Sequence, residues 1–179
     1  MDKITSLSSL NIPLDRDIFL RTLIRELAGV LEDVVGYAEA SGYVSLVGQN
    51  IGEWINDIYR KEMGVASLSR GQVAEVLVDL KARIQGNFSV VSQDDDSIVL
   101  YNDSCPFGDK VLDRASMCMM TSNVFGFIAA ENLGYAKVVL EQSLAKRDEK
   151  CKVIVYLKPS PEAEAVDGRV YYRGKDNDK

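Results

Sequence analysis

The spacing of apolar residues changes along this chain, and that change limits the folds it can adopt. Up to about residue 84, apolar residues recur every three or four positions, the period of an amphipathic helix. Beyond Gly86, four short segments with strand character flank two polar turns, and one further helical stretch separates the two pairs. The pattern predicts an α+β fold, with N-terminal helices packed against an antiparallel sheet built from two hairpins.

Helix limits follow from capping signals and from the apolar period. Helices are expected over residues 15–40, 41–64, 69–84 and 115–133. Gly48 and Gly52 lie one turn apart in the second helix, which favours close packing against another backbone over a ligand-facing surface. Ser69 and Gln72 have the spacing of a capping box, and Gly134 fits the residue after a helix end.

One domain is expected, because no linker or repeat divides the chain. We assign residues 1–14 to an N-terminal arm and 15–158 to a single domain, and we expect residues 159–179 to form a mostly flexible tail. The segment "GRVYYR" within that tail is an alternative short strand.

Composition excludes several functions. The net charge of −6, with no basic stripe, argues against a nucleic-acid partner. There is no histidine, which excludes His-ligated haem and Ser-His-Asp or Cys-His nucleophiles. No phosphate loop or dinucleotide fingerprint occurs. Because the start lacks an apolar leader and no segment is long enough to span a membrane, we expect a cytoplasmic protein with reduced cysteines.

The three cysteines allow two interpretations. Each can serve as a small buried core residue, and Cys151 fits the first inward position of a strand. Alternatively they form a site, since Cys105, Cys118 and Cys151 all lie at the ends of elements, and thiolates are preferred zinc ligands. Glu141 is then the best fourth ligand. Cys118, near a helix N-terminus, would be the most nucleophilic thiol of a redox site.

The stretches "CPFG", "SMCMMTSNVFGFIAAENLGYAKVVLE" and "CKVIVYL" resemble the methanogen output domain family of prokaryotic signalling proteins. The resemblance covers about residues 15–158. More distant similarity extends to the four-vinyl-reductase domain and to phenol-responsive sensory domains. These share a fold with Golgi transport-particle subunits and haem nitric-oxide-binding domains.

The phenol-sensing relatives imply a structural zinc site. Cys118, Glu141 and Cys151 of this chain match three of the zinc ligands of those relatives. The relatives have a further ligand cysteine three residues after the glutamate, and this chain has Leu144 there. Cys105 would have to replace that ligand from another part of the chain.

The resemblance also implies a homodimer and a cavity for a small apolar ligand between helices and sheet. The candidate lining residues are Met117, Met119, Met120, Phe125 and Phe127. Ordinary core packing is the alternative for all five.

The favoured function is a non-enzymatic sensor or output domain, homodimeric through its first helices, with a signalling partner protein. The alternative is a thiol- or metal-dependent redox protein that uses Cys118. A third hypothesis is a ligand-free scaffold subunit resembling the transport-particle proteins.

Overall fold

The computed structural model describes residues 11–174 and contains five helices and five strands in that range. The elements follow in the order α1 (Arg16–Val35), α2 (Tyr37–Met63), α3 (Arg70–Arg83), β1 (Phe88–Gln93), β2 (Ser97–Asn102), α4 (Cys118–Leu133), β3 (Tyr135–Gln142), β4 (Cys151–Tyr156), α5 (Pro161–Glu164) and β5 (Arg169–Tyr172). Most of the predicted N-terminal arm, residues 1–10, lies outside the described residues.

The first helix is shorter than predicted. It begins where Asp15 Oδ1 accepts a hydrogen bond from the Ile18 N–H at 2.8 Å, and it ends at Gly36 rather than near Ala40. Gly36 has φ = 83°, which breaks the helical hydrogen bonding, and α2 begins at Tyr37. The prediction missed this break because the apolar period runs through it.

The capping box before α3 is confirmed. Gln72 Oε1 accepts a hydrogen bond from the Ser69 N–H at 2.8 Å, and the Ser69 hydroxyl accepts one from the Gln72 N–H. Gly134 follows the end of α4 with φ = 95°, as its position in the sequence indicates.

The two predicted hairpins supply four of the five strands of one antiparallel sheet with the strand order β1-β2-β4-β3-β5. The hairpins join through β2 and β4, where Asn102 lies opposite Cys151. The strand alternative for the tail is realised as β5, which pairs with β3. Tyr171 of β5 lies over Gly126 of α4, and a Cβ at Gly126 would overlap the tyrosine ring.

Helix α4 lies between α2 and the sheet and is buried on nearly every side. Gly48 and Gly52 of α2 face it: a Cβ at Gly48 would come within 2.8 Å of Asn123 Cβ, and one at Gly52 within 3.1 Å of Phe127 Cβ. The close helix packing predicted from these glycines is confirmed. On the opposite side, Phe125 lies edge-on to Phe88 of β1 with 5.4 Å between ring centroids.

Across residues 11–174, no helix combines the length and the apolar character needed to cross a membrane.

Replacing Gly48 by alanine is expected to lower the free energy of unfolding by about 1–3 kcal/mol, because the new methyl group overpacks the contact with α4. The control is Gly42→Ala in the same helix, where a Cβ meets nothing within 4 Å. That control is expected to stabilise by about 0.5–1 kcal/mol through helix propensity. Urea unfolding of both variants measures the difference. Equal effects would contradict the close packing of α2 on α4.

Candidate functional site

The three cysteines line a single small cavity of about 30 Å³. Cys105 lies in the loop after β2, Cys118 is the first residue of α4, and Cys151 is the first residue of β4. All three are free and partly buried. The structure therefore brings together three of the four residues proposed as metal ligands.

Local hydrogen bonds position the three cysteines. The Gly108 N–H donates to the Cys105 carbonyl at 2.8 Å and closes a turn after the cysteine. Cys118 Sγ lies 3.4 Å from Ser143 Oγ, and the Leu144 N–H donates to Cys151 Sγ at 3.4 Å. The short 3-10 segment after β3 thus holds the thiols of α4 and β4.

Glu141 is not part of this site. Its side chain is exposed and forms an ion pair with Lys152 at 2.7 Å. Within the described range 11–174, no group of three or more His, Cys, Asp or Glu side chains is arranged to hold a metal ion. This arrangement does not fit a four-ligand zinc site, which needs its donors within about 2.0–2.3 Å of one point. Zinc binding stays a prediction of the family resemblance.

A buried lysine lies beside the cavity. Lys81 of α3 is 5% exposed, and its Nζ donates to Thr121 Oγ1 at 2.8 Å. The ammonium also lies 5.6 Å from the Phe88 ring centroid and 5.4 Å from that of Phe125. Burial lowers the pKa of Lys81 to about 8, and the negative charges that the three cysteines would carry as thiolates oppose that shift.

Sequence reasoning missed Lys81, although the signal was present. The residue follows Val73 and Leu77 at four-residue spacing, so it lies on the apolar face of α3. A lysine on such a face is buried unless its long stem reaches solvent.

Burial disfavours the thiolate forms of Cys105 and Cys118. Burial raises the pKa of the Cys118 thiol to about 11, and it raises the pKa of Cys105 in the same direction. The Ser143 hydroxyl and the Lys81 ammonium favour the Cys118 thiolate, but desolvation is the larger effect. Burial thus opposes the activation that the position of Cys118 at the start of α4 predicts.

The candidate ligand-binding residues do not line one common cavity. Met117 lines the cysteine cavity, whereas Met119 lines a separate recess on the outer side of Cys118. Met120 and Phe127 face the glycines of α2, and Phe125 is a fully buried core residue.

The architecture is found in solved structures. The phenol-responsive sensory domain of the transcription activator PoxR, solved with phenol, matches with a TM-score of 0.62 and 15% identity. That match covers 86% of this chain and 81% of the other. A trafficking protein particle complex subunit 3 from Naegleria fowleri, covalently bound to palmitic acid, matches with a TM-score of 0.58 and 16% identity, over 80% and 95% of the two chains. These likenesses show a shared fold.

Family membership is more specific. The model of methanogen output domain 1 matches residues 23–156, so the chain belongs to the methanogen output domain 1 family. No protein of curated function matches the chain in sequence.

Lys81 predicts a distinct pH dependence of stability. Below pH 8 the lysine is protonated in both states and the cost of burying its charge is fully present. From pH 8 to 10.5 the folded state loses the proton first, because its pKa is lowered from 10.5 to about 8, so stability rises with pH. Between pH 7 and 9 the native protein should gain about 1 kcal/mol relative to Lys81→Met.

The measurement is chemical unfolding of both proteins across that interval. Lys146→Met removes an exposed lysine and serves as the control, with no such gain expected. Parallel pH profiles for native protein and Lys81→Met would contradict the burial of the charge.

Raised thiol pKa values predict slow alkylation. With a pKa two units above its ordinary 9, Cys118 should react with iodoacetamide at neutral pH about a hundredfold more slowly than in denaturant. Mass spectrometry after timed labelling gives the rate for each cysteine. Rapid labelling of native Cys118 at neutral pH would restore the redox hypothesis.

Proposed function

We propose that this chain is a non-enzymatic, cytoplasmic signalling module that dimerises through α1 and senses its signal at the cysteine cavity. Its membership of an output-domain family supports the signalling role. The shared fold with a phenol-responsive sensory domain supports a sensor in particular. Three cysteines without disulfides support a reducing compartment.

The observation that carries the proposal is the position of α1, which packs on the segment that closes the cysteine cavity. Ala28 of α1 belongs to a small apolar cluster with Val111 and Met117, against which Cys105 and Cys118 also pack. This cluster is separate from the main core beneath α3 and α4.

Polar contacts reinforce the same attachment. Arg25 Nη1 donates to the carbonyls of Lys110 and Leu112 at 2.6 and 2.7 Å. Glu32 forms an ion pair with Arg114 at 2.8 Å and accepts a hydrogen bond from the Ser116 hydroxyl. A displacement of the segment between β2 and α4 is therefore transmitted directly to α1.

The other face of α1 is an apolar seam without a partner in the described chain. Five exposed aliphatic residues recur at the alternating three- and four-residue spacing of heptad positions a and d: Leu20, Leu23, Leu27, Val30 and Val34. Only Ala28 and Gly29 of this helix are buried. A heptad seam is the pattern by which one helix packs against another, and a second copy of the chain brings an identical seam.

Signalling would then follow from two arrangements of the paired α1 helices. Occupation of the cavity shifts the segment that closes it, and that segment is bonded to α1 through Arg25 and Glu32. A ligand can shift the equilibrium between the two arrangements only by the difference between its binding free energies for them.

The cavity in its closed form limits the ligand. About 30 Å³ holds one or two water-sized molecules, whereas an apolar cavity of about 150 Å³ is needed for benzene. A phenol or a fatty acyl chain, as bound by the two fold relatives, would require the cavity to open. The redox alternative is disfavoured because burial raises the pKa of the Cys118 thiol to about 11.

Leu27→Glu is expected to convert the dimer to a monomer, because two buried carboxylates would meet in the seam. Light scattering after size-exclusion chromatography measures the mass. Val91→Glu also replaces an exposed aliphatic residue by glutamate, in β1, and should leave the dimer intact.

Coupling of the seam to the cavity gives a second readout. Because α1 packs on the segment that carries Cys105, loss of the dimer should change the exposure of this thiol and hence its iodoacetamide labelling rate in Leu27→Glu but not in Val91→Glu. A monomeric native protein would remove the dimer from the proposal. Identical Cys105 rates in monomer and dimer would remove the coupling.

A further inference from the structure

Asn102 brings an unsatisfied hydrogen-bond donor to the cysteine cavity. The residue is 2% exposed and lines the cavity beside Cys151. Its Oδ1 accepts hydrogen bonds from the Asn87 N–H at 2.9 Å and the Ser104 N–H at 3.3 Å, which fixes which amide atom is the oxygen. Its buried Nδ2 has no partner among residues 11–174. Buried donors without a partner are rare in folded proteins, and a bound ligand that accepts a hydrogen bond would satisfy this one.

Thr121 brings a second donor, backed by a positive charge. Thr121 lines the cavity, and its Oγ1 already accepts the hydrogen bond from Lys81 Nζ. Its hydroxyl proton is therefore the group that it can offer to the cavity. Within the part of the chain that the structure describes, no carboxylate lies within ion-pair distance of Lys81. A buried ammonium without a counter-charge is costly.

The polar groups that line the cavity, together with the Lys81 charge, indicate which kind of ligand it can hold. Asn102 and Thr121 offer donors, and the nearby charge is positive. The thiols are weak donors and weak acceptors, and the side chains of Gln142 and Ser143 can donate as well as accept. A water molecule could accept from the donors but would leave the buried ammonium without a counter-charge, whereas a small anion satisfies both. The volume of about 30 Å³ limits the occupant to one or two heavy atoms.

We infer that the cavity binds a small inorganic monoanion, of the class of a halide or hydrosulfide ion, held by Asn102 Nδ2 and the Thr121 hydroxyl with Lys81 as the counter-charge. The use of this anion as the signal rests on the proposed function, but its binding does not. Occupation satisfies the amide and neutralises the lysine in one step.

Bromide is the probe, and the unfolding temperature of the reduced full chain is the readout. Bromide is expected to raise that temperature with a saturable dependence on concentration. Perchlorate at equal ionic strength is too large for the cavity and should give no saturable rise. In Lys81→Met the apparent bromide affinity should fall by about tenfold or more, since the counter-charge is lost. Lys146→Met, the matched loss of an exposed lysine, should bind bromide as the native protein does.

Thr121→Val provides a second variant, expected to weaken bromide binding even if Lys81→Met does not fold. Anomalous scattering from crystals grown with bromide should place one ion within hydrogen-bond distance of Asn102 Nδ2. Equal effects of bromide and perchlorate, equal affinity in all variants, or a cavity without bromide would each overturn the inference. Bromide binding by a protein that proves monomeric would keep the anion site and remove only the dimer from the proposed function.

Discussion

Burial of α4 between α2 and the sheet positions the rest of the molecule. The helix has almost no polar face, so it must be covered on all sides, and Gly48 and Gly52 let α2 approach close enough to cover one of them. Because α4 begins at Cys118, the same packing sets the depth of that thiol. The cavity lies where the start of α4 meets the end of β2 and the start of β4. Because these elements pack closely, a volume of only about 30 Å³ remains between them.

Much of the fold could be predicted because its signals are local. The capping box at Ser69, the two hairpins and the glycine pair of α2 are each signalled by residues near one another in sequence. The break between α1 and α2 could not be predicted from periodicity, since Gly36 changes the chain direction without interrupting the apolar spacing. Conversely, helical spacing of apolar residues in α1 was visible in the sequence, but only the structure shows which of them stay exposed in the described chain.

The placement of the candidate site residues was predicted in part, and the differences have physical causes. The ends of strands and helices meet in a compact fold, which is why the three cysteines converge as their positions indicated. Glu141 comes at a β-bulge between Leu140 and Gln142, and its side chain turns to Lys152 on the outer face. The reactivity of Cys118 depends on how completely neighbouring side chains exclude water, and the position of a helix N-terminus does not report this.

The contact between Tyr171 and Gly126 makes the position of the last strand depend on a single residue of α4. The family match ends at residue 156, so β5 lies beyond it while Gly126 lies within it. Only glycine at that position leaves room for the tyrosine ring. In this chain a larger residue at position 126 would force the Tyr171 ring, and with it the edge strand β5, to move. A single position within α4 thus determines how the edge of the sheet is completed.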